Sequence, residues 1–219
     1  MSGKYTVIAV MAVTMSILGA CASAQNDMHL AQDEKNELTG MIGRIFISDQ
    51  GLLNETPPGN YVHFGNGLSF EASYARRFLV TPIFAISGEV PAVFNLDEKL
   101  LSSYDVVPES IKQIFVTPAA RLNLFPETAF SPWISLGGGF AYNGSESKTL
   151  YFGGTNPGSS STSGVLQGGF GLDVRVWHRF SIRGEVRDFW SGTLSLPLAD
   201  TGKSRENNYF VGGGVVWHF

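Results

Sequence analysis

Charge and cysteine are both scarce in this chain. Only 16% of its 219 residues are charged, against roughly 25% in an ordinary soluble domain, and Cys21 is the single cysteine. One thiol excludes a disulfide scaffold and every cysteine-cluster zinc motif. The 15 basic residues are outnumbered by 19 acidic ones. The chain therefore lacks the basic surplus that tracks phosphates, and no nucleic-acid partner is expected. Long hydrophobic runs are also missing: beyond Ala24 no apolar stretch approaches the roughly 18 residues that mark a membrane helix. What is plentiful is glycine, at 26 residues, and aromatic side chains, at 12%. Two classes survive, an all-β globular domain and a transmembrane β-barrel.

The amino terminus reads as an address. Lys4 precedes an apolar stretch from Val7 to Ala20, broken only by Thr14 and Ser16, which is too short to span a bilayer comfortably. Ala22-Ser23-Ala24 before Gln25 fits the small-residue cleavage pattern of a secretory signal peptide. A competing reading is Leu18-Gly19-Ala20-Cys21, which has the form of a bacterial lipoprotein box with Cys21 acylated. The favoured division is a signal peptide over 1–24, a polar leader over 25–36 and one folded domain over 37–219.

Beyond the leader, polarity alternates with period two in runs of about ten residues, which is the strand signature. The runs are 37–47, 66–78, 83–95, 111–124, 130–142, 164–177, 179–190 and 207–219. Each is long enough for a tilted strand to cross a bilayer. Their connections are 48–65, 79–82, 96–110, 125–129, 143–163, a turn around His178, and 191–206. Long and short alternate throughout. A sandwich has no reason to obey that rule, whereas an up-and-down outer-membrane barrel does, with short periplasmic turns and long extracellular loops. Both termini then fall on the periplasmic side. The expected fold is an all-β, eight-stranded antiparallel transmembrane β-barrel.

The faces sharpen the reading. Leu166, Phe170, Leu172, Val174 and Val176 oppose Gln167, Asp173 and Arg175. Phe180, Ile182 and Val186 oppose Ser181, Arg183, Glu185 and Arg187, and Leu68, Phe70, Tyr74 and Phe78 oppose Glu71 and Arg77. Glu89 and Arg121 join the polar face by the same logic. Collected, that face carries Glu71, Glu89, Asp173 and Glu185 against Arg77, Arg121, Arg175, Arg183 and Arg187. The signs nearly balance, and arginine is used where an exposed face would carry more lysine. Its planar fork suits fixed carboxylate pairs away from water. A barrel of eight strands is just wide enough for side chains to fill it. The expectation is an interlocked charge network that closes the lumen.

Some segments read less cleanly. Neither face of 37–47 is clearly polar. Pro91 and Pro118 lie inside strands three and four, where each deletes a ladder hydrogen bond, so that hairpin is expected to bulge or fray early. Arg76 falls on the lipid face beside a short turn, where a long cation reaches the interface.

The last residues alternate to the final atom, with Tyr209, Val211, Gly213, Val215, Trp217 and Phe219 on one face. Aromatic residues at a strand's end match the interfacial girdle of outer-membrane barrels. With the alternating loops, Gly168 to Arg175 and Ser181 to Arg187, this terminus resembles the small outer-membrane β-barrel superfamily, which includes the OmpA transmembrane domain and OmpX-like proteins. The resemblance implies that Tyr209, Val211, Val215, Trp217 and Phe219 form the assembly signal read by the outer-membrane insertion machinery. It also implies residence in the outer membrane of a diderm, Gram-negative bacterium, with lipid as the main partner and a monomeric state. No peptidoglycan-binding domain of the OmpA type is expected after the barrel.

Catalysis is not expected. Nucleophilic hydrolysis needs Ser and His within hydrogen-bond reach and an acidic orienter. His29 lies in the leader, His178 in a short turn and His218 beside the terminus. His63, near Ser69 and Glu71, is followed by Phe64 and Gly65 and lacks the His-x-Ser form of the lipid A deacylases. No cofactor or metal is expected: Asp97, Glu98 and Asp105 read as a solvated loop more than as a cation site, since no EF-hand spacing accompanies them. Gly137 to Gly139 and Gly212 to Gly214 lie in strands and form no phosphate loop, and close packing is the better explanation. The expected role is structural or surface-interactive, with four extracellular loops. A narrow porin-like pore and a lipid-modifying enzyme are the alternatives, and a soluble periplasmic β-protein is a more distant competitor.

Overall fold

A computed structural model describes residues 34–47, 50–51, 61–65, 67–101, 107, 109–151, 153–192 and 205–219. The proposed signal peptide, Cys21, His29 and most of the leader lie outside them, as do the side chains of His63, Asp97 and Asp105. The principal strands are β1 (Asn36–Ile47), β2 (Leu68–Val80), β3 (Phe84–Leu101), β4 in two pieces (Ser110–Val116 and Ala119–Leu124), β5 (Phe130–Ser145), β6 (Ser160–Trp177), β7 (Phe180–Gly192) and β8 (Arg205–His218). Each pairs antiparallel with its neighbours in sequence. β1 also pairs with β8, from Glu37 opposite His218 to Ile47 opposite Asn208. The sheet is closed, so it has no edge to protect. The fold is an eight-stranded up-and-down barrel.

Alternation sets the register. In β7 Ser181, Arg183, Glu185 and Arg187 are buried while Phe180, Ile182 and Trp190 are exposed, and slipping the ladder by one residue would exchange the two sets. The unclear first strand resolves the same way: Glu37, Thr39, Met41, Ile45 and Ile47 turn inward, and Leu38, Ile42 and Phe46 outward. One end of the barrel carries the start of β1, the end of β8 and the short turns at 81–83, 125–129 and 178–179. There the first and last strands are sewn together, with Asn36 N donating to Phe219 O and Phe219 N to Asn36 O, both at 2.9 Å.

One expectation is corrected at the other end. The segments 96–110 and 143–163 are not simply loops, because β3 continues to Leu101, β5 to Ser145, and β6 begins at Ser160. The ladder outlasts the polarity pattern, which fades once neither face meets hydrocarbon. A short strand, Tyr61–Phe64, also pairs with β3 at Leu100 and Leu101. The β3–β4 hairpin carries the expected bulge, its register shifting between Asn95 and Glu98, and it does not fray early. β3 runs through Pro91, whose carbonyl accepts from Thr117 N at 3.2 Å. β4 instead breaks in mid-strand at Thr117 and Pro118, between its two pieces. The backbone there leans over β5, where a Cβ on Gly137 would lie 2.3 Å from Pro118 O and one on Gly139 1.9 Å from Val116 O. Only glycine admits so close a backbone.

Candidate functional site

The barrel is inverted relative to a protein that folds in water. Leu136, Phe170 and Phe78 are exposed by 73%, 61% and 72%, while Arg183 and Arg187 are exposed by 0%. An apolar belt that encircles a closed sheet, with ion pairs inside it, needs hydrocarbon as its solvent. The candidate site is therefore the lumen and its mouths.

In the half nearer the short turns, β1, β2, β3, β4, β6 and β7 project charges toward one another. Glu37 is the hub. Arg77 binds its Oε1 through Nε at 2.8 Å and Nη2 at 2.7 Å, Arg121 donates to its Oε2, and Arg183 lies 3.4 Å away. Arg183 also grips both oxygens of Asp173, at 2.6 and 2.7 Å. Glu89 joins Arg121 at 3.2 Å to Arg187 at 2.8 Å, and Arg187 further binds Glu185 and lies 3.4 Å from Glu71. The Trp133 ring stands among three guanidiniums, with Arg121, Arg183 and Arg187 at 5.7, 5.1 and 5.2 Å from its centroid, and its indole N–H donates to Asp173 at 3.2 Å. Bidentate and shared contacts of this kind offset the cost of taking charge out of water.

Eight of the nine charges singled out from sequence enter this web. Arg175 does not: among the described residues its guanidinium has no ion pair. Sequence reasoning missed Glu37, because its strand looked ambiguous, and Trp133, because an aromatic inside a lumen has no pattern of its own. It also dismissed His218, although the outward parity of Trp217 and Phe219 already turned that imidazole inward.

The other half of the lumen corrects the expectation of a charge-filled interior. Ile45, Val93, Phe115, Ala141, Val165, Phe189 and Phe210 are buried in one cluster, with the Phe115 and Phe189 rings stacked at 4.7 Å. These residues continue the inward faces of the same strands, so the polar face does not stay polar along its whole length. Nearer the long loops the inward face turns polar again, with Asn95, Gln113, Asn143 and Asn208 buried. Glu98 also differs from the solvated-loop reading. It is buried and accepts from Asn95 Nδ2 and Gly67 N, both at 3.0 Å.

A pocket opens at the short-turn mouth, lined by Arg77, Thr128, Ser131, Asp173, Arg175, Ser181 and His218 among others. Ser181 Oγ lies 2.8 Å from His218 Nε2, and Glu37 lies 3.7 Å from Nδ1. The trio has the outline of a hydrolytic triad, but with a cation set against the imidazole. Arg77 Nη2 faces Nδ1 at 3.5 Å, and a guanidinium only donates. Both ring nitrogens are thus engaged, Nδ1 by Arg77 and Glu37 and Nε2 by Ser181.

This closed, inside-out sheet with a packed lumen is the fold of the small outer-membrane β-barrels. OprG from Pseudomonas aeruginosa is 12% identical over 85% of this chain and 96% of its own, with a TM-score of 0.51. Neisserial surface protein A is 11% identical over 84% of this chain and 97% of its own, with a TM-score of 0.50. The outer membrane protease OmpT from Escherichia coli is also similar, at 9% identity over 84% and 97% and a TM-score of 0.45. No protein-family model matches the sequence, and neither does any curated protein. At these identities the likeness concerns the fold, and one fold hosts many activities.

Proposed function

We propose that the protein is exported to the outer membrane of a diderm bacterium, where it is a closed monomeric barrel with a structural or surface-interactive role. Its lumen holds the wall rigid, and the long connections on the far side from the termini present the contact surface. The signal-peptide pattern at Ala22-Ser23-Ala24 supports export. The apolar belt supports lipid as the partner. Tyr209, Val211, Val215, Trp217 and Phe219 serve as the signal for the insertion machinery, a reading supported by their exposure along one face of the closing strand.

One observation carries the closed-scaffold reading over a pore or an enzyme: two unlike layers fill the lumen in series. An ion would have to part the Arg–Glu web and then the Phe115–Phe189 stack, and neither has a reason to open. A guanidinium lies against Nδ1 of His218, where a hydrolytic triad places a carboxylate alone, and this weighs against hydrolysis at the Ser181–His218 pair. Planar-bilayer recording of the purified barrel tests the reading. The expected result is no steady conductance, and an ohmic pore from monomer would overturn it. Surface proteolysis of intact cells, with heat-modifiable gel mobility, is expected to cut the long connections and leave a protected barrel.

A further inference from the structure

Two charges stand on the lipid-facing wall without a partner. Arg44 on β1 is exposed between Ile42 and Phe46, and Asp188 on β7 turns outward between Val186 and Trp190. Among the described residues neither side chain makes an ion pair or a hydrogen bond, and Asp188 Oδ1 is enclosed without a donor. Lys112 and Glu146, also on the outer face, bind each other instead. An arginine is long enough to lift its fork past Phe46 toward headgroups, but an aspartate is not. Hydrocarbon satisfies neither charge.

The register shows how the two are placed. Following partners once round the sheet, from Glu37 through Ala75, Ala119, Gln167 and Asn208, returns to β1 at Ile47, ten residues above the start. That shear tilts the eight strands by about 40°. Relative to the register, a level line then climbs about 1.25 residues per strand on passing from β1 through β8 to β7. Arg44 stands opposite Val211, and Val211 opposite Val186. The position on β7 level with Arg44 is therefore about 2.5 residues above Val186, and Asp188 stands there. The two charges share one height about 12 Å apart, on either side of β8, with Val211, Tyr209 and Val186 between them.

Opposite charges at one height, placed evenly about one strand, fit a second copy turned by a two-fold axis along the membrane normal. That rotation keeps height and exchanges left with right, so Arg44 of each copy meets Asp188 of the other. Below the charges Gly184 stands opposite Gly213, both on the outward face, and a Cβ on Gly184 would meet nothing within 4 Å. The wall is shallow there, which lets two sheets approach.

We propose that the β7–β8–β1 wall pairs with the same wall of a second copy through two Arg44–Asp188 ion pairs across a two-fold axis. The monomer proposed above is the unit that folds and closes. The inference goes beyond it, to what two such units do in one membrane, and it leaves each lumen shut.

Förster transfer between full-length barrels carrying donor or acceptor dyes, in phospholipid vesicles over a range of lipid-to-protein ratios, measures the pairing. Arg44→Asp and Asp188→Arg each set like charges against each other and are expected to weaken it by about a hundredfold or more. Arg44→Gln and Asp188→Asn, which keep shape and remove charge, are expected to weaken it about tenfold. Mixed together, Arg44→Asp and Asp188→Arg barrels are complementary. Transfer between them is expected to return to the wild-type level while each alone stays low. Arg76→Gln, elsewhere on the outer face, leaves pairing unchanged. Wild-type transfer no greater than that of randomly placed barrels overturns the proposal and leaves the closed monomer as it stands. Pairing of Arg44→Asp or Asp188→Arg alone at wild-type strength also overturns it. So do weakened variants that fail to rescue each other, a result that hands the two charges to lipid headgroups. Unchanged heat-modifiable mobility of each variant establishes that a loss of transfer is not misfolding.

Discussion

One lumen is closed by two opposite means. Toward the short turns it is filled by arginine and carboxylate, and toward the long loops by phenylalanine, isoleucine and valine, on the same strands and behind the same wall. The lower packing is directional, since each guanidinium is aimed at named oxygens. The upper one is not: Phe115 and Phe189 need only exclude water and fill volume. The comparison teaches that a barrel interior has no single required polarity. Hydrocarbon dictates the outer face, and the inner face needs only to be full.

The largest effect that could break this comparison comes from its most connected carboxylate. Glu37→Ala leaves Arg77, Arg121 and Arg183 without their common partner. Stranding buried cations costs more than the pair was worth, so we expect a loss of about 5 kcal/mol at the upper end of that class. Urea unfolding of the barrel in lipid vesicles, followed by Trp fluorescence, measures it. A loss below that of an aromatic truncation in the upper half would mean that the charged layer is loosely held. Next comes Phe115→Ala, which empties half of the ring stack. It should cost about 3 kcal/mol through the cavity it leaves, yet the bilayer should still carry no steady current, because the charged layer below remains shut. A current in this variant alone would make the apolar layer the sole seal.

How far these halves were legible in the sequence follows from what each face touches. The outward face meets one solvent, so alternation in β2, β6, β7 and β8 declares both the strand and its orientation. The charges Arg183, Glu185 and Arg187 were legible because they interrupt apolar runs at period two. The upper seal was not, because Ile45, Phe115, Phe189 and Phe210 are apolar residues whose outward neighbours are apolar too, and the contrast that reveals a face disappears. Glu37 was hidden for the same reason, standing at the head of a strand whose inward face turns apolar after Thr39. The break in β4 was half legible. Pro118 announced an interruption, but its place in mid-strand depends on Gly137 and Gly139 across the ladder, a pairing that local sequence does not state. Contacts between strands distant in sequence, such as Arg183 with Glu37, follow only from closure.

The smallest effect sharpens the comparison most, because it keeps the chemistry and changes the solvent. Lys112 on β4 binds Glu146 at 2.8 Å, with the two side chains 52% and 59% exposed. Its geometry matches that of the buried pairs, but water screens the attraction and two long side chains must be held in place. The hydrogen bond from Lys112 and its charge hold the Glu146 carboxyl below its ordinary value. A carboxyl lowered in the folded state contributes above its unfolded value and loses that contribution as pH falls through the folded one. Lys112→Ala should therefore leave the unfolding midpoint at pH 7 unresolved from wild type, and any difference at low salt should vanish on acidification or at high salt. A loss from Lys112→Ala comparable to that from Glu37→Ala would show that geometry alone, and not exclusion from water, sets the strength of the pairs that fill the lumen.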